Sequence, residues 1–225
     1  MNPAIIEQIA LLAIPVIVAI TFHEAAHGYV ALYFGDTTAK DQGRVTLNPL
    51  KHIDPFGTIV LPLLLIATAG VMFGYAKPVP VNFSALKNPR RDMLFVAAAG
   101  PAMNIALAFV SALLLHLYLA SSQGTEPFLA NLFNRSVELN VMLAIFNLLP
   151  LPPLDGSKVV APLLPWSLAR PYLGLERFGM LILLLLLFMV PVLAERNGSQ
   201  FDIFGWLVIQ PTEVVTRFIL NLTGG

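Results

Sequence analysis

Hydrophobic positions along this chain run in long blocks rather than alternating with polar ones. Six blocks stand out, at 5–34, 57–75, 93–120, 128–149, 178–193 and 203–220. About 20 apolar residues suffice to cross a hydrocarbon layer roughly 30 Å thick, so each block predicts a membrane segment. Polar connections at 35–56, 76–92, 121–127, 150–177 and 194–202 separate them. None reaches the roughly 50 residues of an independent soluble domain. The pattern predicts an all-α polytopic membrane protein with five to six apolar segments. It forms a single domain over 1–225, with its core over about 5–160 and C-terminal membrane helices over about 176–221.

Composition supports that solvent assignment. Hydrophobic residues make up 57% of the chain and charged ones 12%, against roughly 25% charged in a soluble domain. Thirteen basic and thirteen acidic residues balance, which leaves no basic excess for nucleic acid. The absence of cysteine excludes disulfides, thiolate ligands and a cysteine nucleophile. No Lys or Arg precedes the first block and no small-x-small site follows it closely, so it is expected to be a retained helix rather than a cleaved signal.

Basic residues set an orientation, because Lys and Arg concentrate on the cytoplasmic side. The connection 35–56 holds Lys40, Arg44 and Lys51, and 76–92 holds Lys77, Lys87, Arg90 and Arg91. If 57–75 crossed fully, these two basic connections would lie on opposite sides. If it dips in and returns, they share the cytoplasmic side with Lys158, Arg170, Arg177 and Arg217. Eleven of the thirteen basic residues then fall together, leaving Arg135 and Arg196 outside. Charge favours the re-entrant reading, with a plain spanning helix as the alternative.

The chemistry begins late in the first block, at Phe22-His23-Glu24-Ala25-Ala26-His27-Gly28. Residues i and i+4 share a helix face, so both imidazoles can reach one metal ion. Glu24 sits beside that metal, where it can take a proton from water. Two His and one Glu in hydrocarbon are costly and mark function; the plain alternative is a buried polar cluster holding helices together. Catalytic zinc commonly has three protein ligands and an open position, so a third ligand is needed at similar depth. Asp155 suits it. It follows Pro150, Pro152 and Pro153, which forbid continued helix, and Gly156 permits a close approach.

Asn147-Leu148-Leu149-Pro150-Leu151-Pro152-Pro153-Leu154-Asp155-Gly156 follows the His-Glu-x-x-His helix, and together they resemble the site-2 protease family of intramembrane zinc metalloproteases. Supporting stretches are Gly43–Pro49 (GRVTLNP), His52–Pro55 (HIDP), Gly74–Asn82 (GYAKPVPVN) and Ala99–Asn104 (AGPAMN). They are similar to the compact branch without a PDZ domain, and the resemblance covers roughly residues 20–160. It implies one Zn²⁺ per chain on His23, His27 and Asp155, Glu24 as general base, and Asn147 near the scissile carbonyl. Asn147 lies eight residues before Asp155, where its amide could donate to a developing oxyanion or, alternatively, join two helices.

Four further residues are candidate substrate contacts: Val79, Val81, His52 and Asn104. The segment 77–83 is extended, because Pro78 and Pro80 exclude helix. These prolines strip donors from one edge while Val79, Val81 and Phe83 keep theirs on the other, predicting a small membrane-associated β element that could pair with unwound substrate. A rigid linker is the alternative. His52 is either a gate or fourth ligand, or a solvated loop histidine. Asn104, four residues after Gly100, suits close helix packing better than catalysis, and His116 reads as a buried hydrogen-bonded histidine.

The expected activity is hydrolysis of peptide bonds within or near transmembrane segments of membrane-protein substrates. A zinc-binding transporter or a proteolytically inactive regulatory homologue is the competing reading, and the presence of Glu24 argues against both. Expected partners are a substrate with a transmembrane helix, the lipid bilayer and a regulatory membrane protein. The expected location is a prokaryotic inner membrane, with the site towards the cytoplasm.

Overall fold

The structure, a computed structural model, describes residues 3–60, 64, 74–121, 127–190, 196 and 202–224. Three long helices form the framework: α1 (Pro3–Tyr33), α2 (Pro89–Ala120) and α3 (Pro127–Leu148). Two stretches, Ala4–Tyr33 and Pro89–Ala120, are long and apolar enough to cross a membrane. Pro15 and Pro101 lie inside these helices, as membrane helices allow where neighbours satisfy the freed carbonyls. Outer faces remain apolar, with Ile9 56% and Leu117 68% exposed, a surface suited to lipid.

After α3 come α4 (Asp155–Val160), α5 (Trp166–Gly174) and α6 (Gly179–Leu184), which runs on through Leu185–Met189. The last helix, α7 (Gln210–Gly224), is entered from Gly205–Ile209. Helix thus coincides with five of the six apolar blocks. Most of the sixth, 57–75, lies outside the described residues, but its ends meet. The Tyr75 N–H donates to Gly57 O at 3.0 Å, and Thr58 Oγ1 donates to Tyr75 O at 3.0 Å.

Small side chains let the helices approach. Ala108 and Ala112 of α2, Val137 and Val141 of α3 and Ile219 of α7 make one fully buried cluster. A second joins Ala31, Leu86 and Val96, with Val81 and Phe83 packed against it. At the end of α1, Gly35 takes a left-handed φ of 105°, and buried Asp36 accepts from Thr38 N–H and from Asn82 N–H at 2.7 Å. The basic connections pack on one another at this end. An Arg44 amine donates to Lys77 O at 2.8 Å, and Lys77 N–H to His52 O at 2.9 Å. The Arg90 Nε donates to Pro162 O at 2.8 Å.

Two expectations need correction. Arg217 does not belong with the other basic connections. Phe204 contacts Phe146 near the end of α3, whereas Thr223 lies 3.2 Å from His116 near the far end of α2. The chain therefore runs away from Asp155 along α7, and Arg217 lines the same groove as Arg135. The β element is also not observed: no strand occurs among the described residues. The segment 77–82 is extended, but its engaged donors go to isolated acceptors, Glu24 on α1 and Asp36 and His52 in the connection that follows, rather than to a neighbouring strand.

Candidate metal centre

His23 and His27 lie one turn apart on α1, and Asp155 opens α4. The Nε2 atoms of His23 and His27 are 3.1 Å apart, and they lie 3.1 Å and 3.3 Å from Asp155 Oδ2. Three ligands on a tetrahedral zinc at about 2.05 Å would sit about 3.3 Å from one another. The triangle therefore has the size of one face of a zinc tetrahedron, and these are the residues that group as a metal site.

Proton bookkeeping points the same way. His23 Nδ1 faces Asn104 Oδ1 at 2.5 Å and His27 Nδ1 faces Val96 O at 2.7 Å. Both partners are acceptors, so each Nδ1 carries the hydrogen and each neutral ring presents a lone pair on Nε2. Two lone pairs and a carboxylate oxygen then converge with both imidazoles buried, an arrangement that calls for a cation. The donor set fits zinc.

Register between α1 and α2 builds the site. Val96, Gly100 and Asn104 recur every four residues and form one stripe on α2. Val96 meets His27, Asn104 meets His23, and Gly100 lies between. A Cβ on Gly100 would collide with Nε2 of both histidines, so glycine leaves the space a metal would fill. Asp155 is delivered by the turn after α3, in which Leu151 N–H donates to Leu149 O and Leu154 N–H to Leu151 O. Gly156 packs on the carbonyls of Leu148 and Leu149, where a Cβ would overlap them.

Glu24 projects from the same turn as His23, and its Oε2 accepts the Val79 N–H at 2.6 Å. Val79, expected as a substrate contact, is buried and spends its donor on Glu24. The Val81 N–H has no hydrogen bond among the described residues, while its side chain packs into the second cluster. His52 is neither solvated nor at the metal. It is 2% exposed, its ring bonds Thr46 O at 2.9 Å, and its carbonyl holds Lys77. Asn147 is half-buried and one amide hydrogen goes to Leu143 O at 2.9 Å in its own helix, leaving the other and Oδ1 unengaged. Asn104, read from sequence as packing, touches His23 directly. His116, expected to be buried, is half-buried, and its ring bonds Ala112 O at 2.9 Å in its own helix.

Sequence reading missed Gly100 as part of the site and Asn140 altogether. The four-residue spacing Val96–Gly100–Asn104 mirrors the His spacing and was the available signal.

Residues 11–130 match Peptidase family M50. YwhC of Bacillus subtilis, which carries the name of a zinc metalloprotease, is 46% identical over 189 residues, covering 80% of this chain and 81% of that protein. Rip2 of Mycobacterium tuberculosis, named in the same way, is 32% identical over 196 residues, covering 85% and 70%. MJ0611 of Methanocaldococcus jannaschii, again named as a zinc metalloprotease, shares 40% identity over 65 residues, or 29% of this chain. No solved structure matches.

Proposed function

Because this chain belongs to Peptidase family M50, the site-2 protease family, we propose that it is an intramembrane zinc metalloprotease that cleaves membrane-protein substrates within or near their transmembrane segments. The observation that carries the reading is the triangle of His23, His27 and Asp155 with Glu24 on the adjoining helical position.

Zinc, when bound there, supplies a Lewis acid and lowers the pKa of its water towards roughly 7. Glu24 is the general base. Its Oε2 is held by the Val79 N–H, so Oε1 stays free to take a proton from the attacking water and return it to the leaving amine. The free amide hydrogen of Asn147 is suited to the developing oxyanion. A transporter would need ligands but no base strapped in place beside them, and the tie between Glu24 and Val79 favours hydrolysis.

A helical substrate must unwind before its scissile bond is reached, and unpaired backbone groups in hydrocarbon cost several kcal/mol each. The unengaged Val81 N–H offers one pairing donor for the unwound stretch. The meeting of Gly57 with Tyr75 supports a re-entrant 57–75, since a straight helix of that length would part its ends by roughly 27 Å. The basic connections then face the cytoplasm of a prokaryotic inner membrane with the metal site near them. The apolar outer faces leave room for a regulatory membrane partner.

The test uses purified protein in lipid with a transmembrane substrate. Glu24→Gln is expected to keep one zinc per chain and lose cleavage, because Gln preserves shape but accepts no proton, whereas Asp155→Ala is expected to lose the zinc. Wild-type turnover by Glu24→Gln would overturn the mechanism.

A further inference from the structure

His27 and His23 are oriented by different means. His27 Nδ1 donates to a backbone carbonyl, Val96 O, whereas His23 Nδ1 donates to a side chain, Asn104 Oδ1. A carbonyl can only accept. An amide can turn round and offer its NH₂ instead, and His23 would then have to move its hydrogen to Nε2, where it would face the metal. Something must hold the Asn104 amide one way round.

Asn104 is fully buried and ties its own helix, α2, to α1 and α3. Its Nδ2 donates to Asn140 Oδ1 of α3 at 2.9 Å and to Ala19 O of α1 at 3.3 Å. Asn140, 1% exposed, in turn donates from Nδ2 to Ser136 O at 2.8 Å and to Ser136 Oγ at 3.3 Å. The polarity of this chain is anchored by groups that cannot reverse. Ser136 O can only accept, so Asn140 must turn its NH₂ there and its Oδ1 towards Asn104. That oxygen, with Ala19 O, draws the Asn104 NH₂, and Asn104 Oδ1 is left for His23.

We infer that Asn104, and through it Asn140, are positioning residues that fix His23 in the tautomer whose Nε2 lone pair faces the metal. The assignment rests on the zinc-site reading above and extends it two residues away from the ion. Partners of this kind to a metal-bound histidine typically matter about 10–100-fold in metal affinity.

The experiment measures zinc affinity of the full-length protein by chelator competition, together with the visible absorption of its cobalt-substituted form. Asn104→Leu is expected to weaken zinc about 10–100-fold. Asn104→Asp keeps an oxygen for the His23 Nδ1–H although it loses both donors, and is expected to stay near wild type. A purely structural amide predicts the opposite order, because an acceptor placed against Asn140 Oδ1 and Ala19 O would be worse than Leu. Asn140→Leu, which frees the Asn104 amide to turn, is expected to weaken zinc about tenfold and shift the cobalt bands. Asn140→Asp, which still accepts from Asn104, should do neither. Equal zinc affinity in Asn104→Leu and Asn104→Asp would overturn the inference, and this comparison stands even if Asn140→Leu fails to fold. His23→Ala separates the two levels. If it binds zinc as wild type does, the metal-site reading fails; if it loses zinc while both Leu variants keep it, only the positioning role fails.

Discussion

Replacing Gly100 by Ala gives the sharpest test of the space between the two histidines. In an ordinary helix interior this change stabilises by about 0.5–1 kcal/mol. Here the added Cβ would stand 2.5 Å from His23 Nε2 and 2.6 Å from His23 Cε1, with ordinary contact beginning at 3.4 Å. The deficit is about 0.9 Å, while zinc–ligand distances hold to within about 0.2 Å. Sliding α2 outward to relieve the clash would stretch the contacts of 2.5 Å and 2.7 Å that orient both rings from that same helix. Swinging the imidazoles aside breaks the triangle with Asp155. Either way at least two ligands leave position, and zinc affinity should fall about 100-fold or more, beyond the usual range for residues that only orient ligands. Helical content by circular dichroism should be unchanged, while apo-protein thermal stability should fall, because relieving the clash strains the buried hydrogen bonds of both rings. The readout is chelator competition on purified protein. Wild-type zinc affinity in Gly100→Ala would refute the placement of the ion between α1 and α2.

Cysteines introduced at Lys51 and Asn88, both exposed, should be labelled only from the cytoplasmic side in a background without other cysteines; labelling from opposite sides would restore a spanning 57–75. Val81→Pro removes an uncommitted backbone donor and should cripple cleavage while zinc content is kept; near-normal turnover would return 77–83 to the status of a linker.

The membrane class, the candidate ligand triangle and the proposed base were legible because each is written locally. A four-residue spacing puts two imidazoles on one face, and the proline run before Asp155 announces a turn. The stripe of Val96, Gly100 and Asn104 was visible as a spacing but not as a site. Its meaning depends on the register of α2 against α1, which no local pattern encodes. Asn140 gave no signal at all, since it is one of four asparagines in α3, with Asn131, Asn134 and Asn147, and an amide there reads equally as packing. The orientation of α7 was misjudged because it rested on Arg217 alone, and a single charge midway along an amphipathic helix is weak against the packing of Ile219 into the cluster of Ala108 and Val141.

A deeper reason separates what the chain displays from what it conceals. Three contacts orient the reactive groups: Val96 O on His27, Val79 N–H on Glu24, and Asn104 Oδ1 on His23. Two of the three partners are backbone atoms, and any residue supplies them, so side-chain identity carries no trace of their role. What the sequence does record is the setting that makes them available. Pro78 and Pro80 flank Val79 and leave its N–H as the lone donor across three residues. The same feature that suggested a one-edged strand for substrate thus serves the base first. On the proposed pairing with substrate, contact would begin only beyond it, at Val81. A backbone donor resists removal by point substitution, which protects the alignment of Glu24, whereas the Asn104 amide can be lost in one step. The asymmetry makes His23, not His27, the ligand whose orientation is most exposed to mutation.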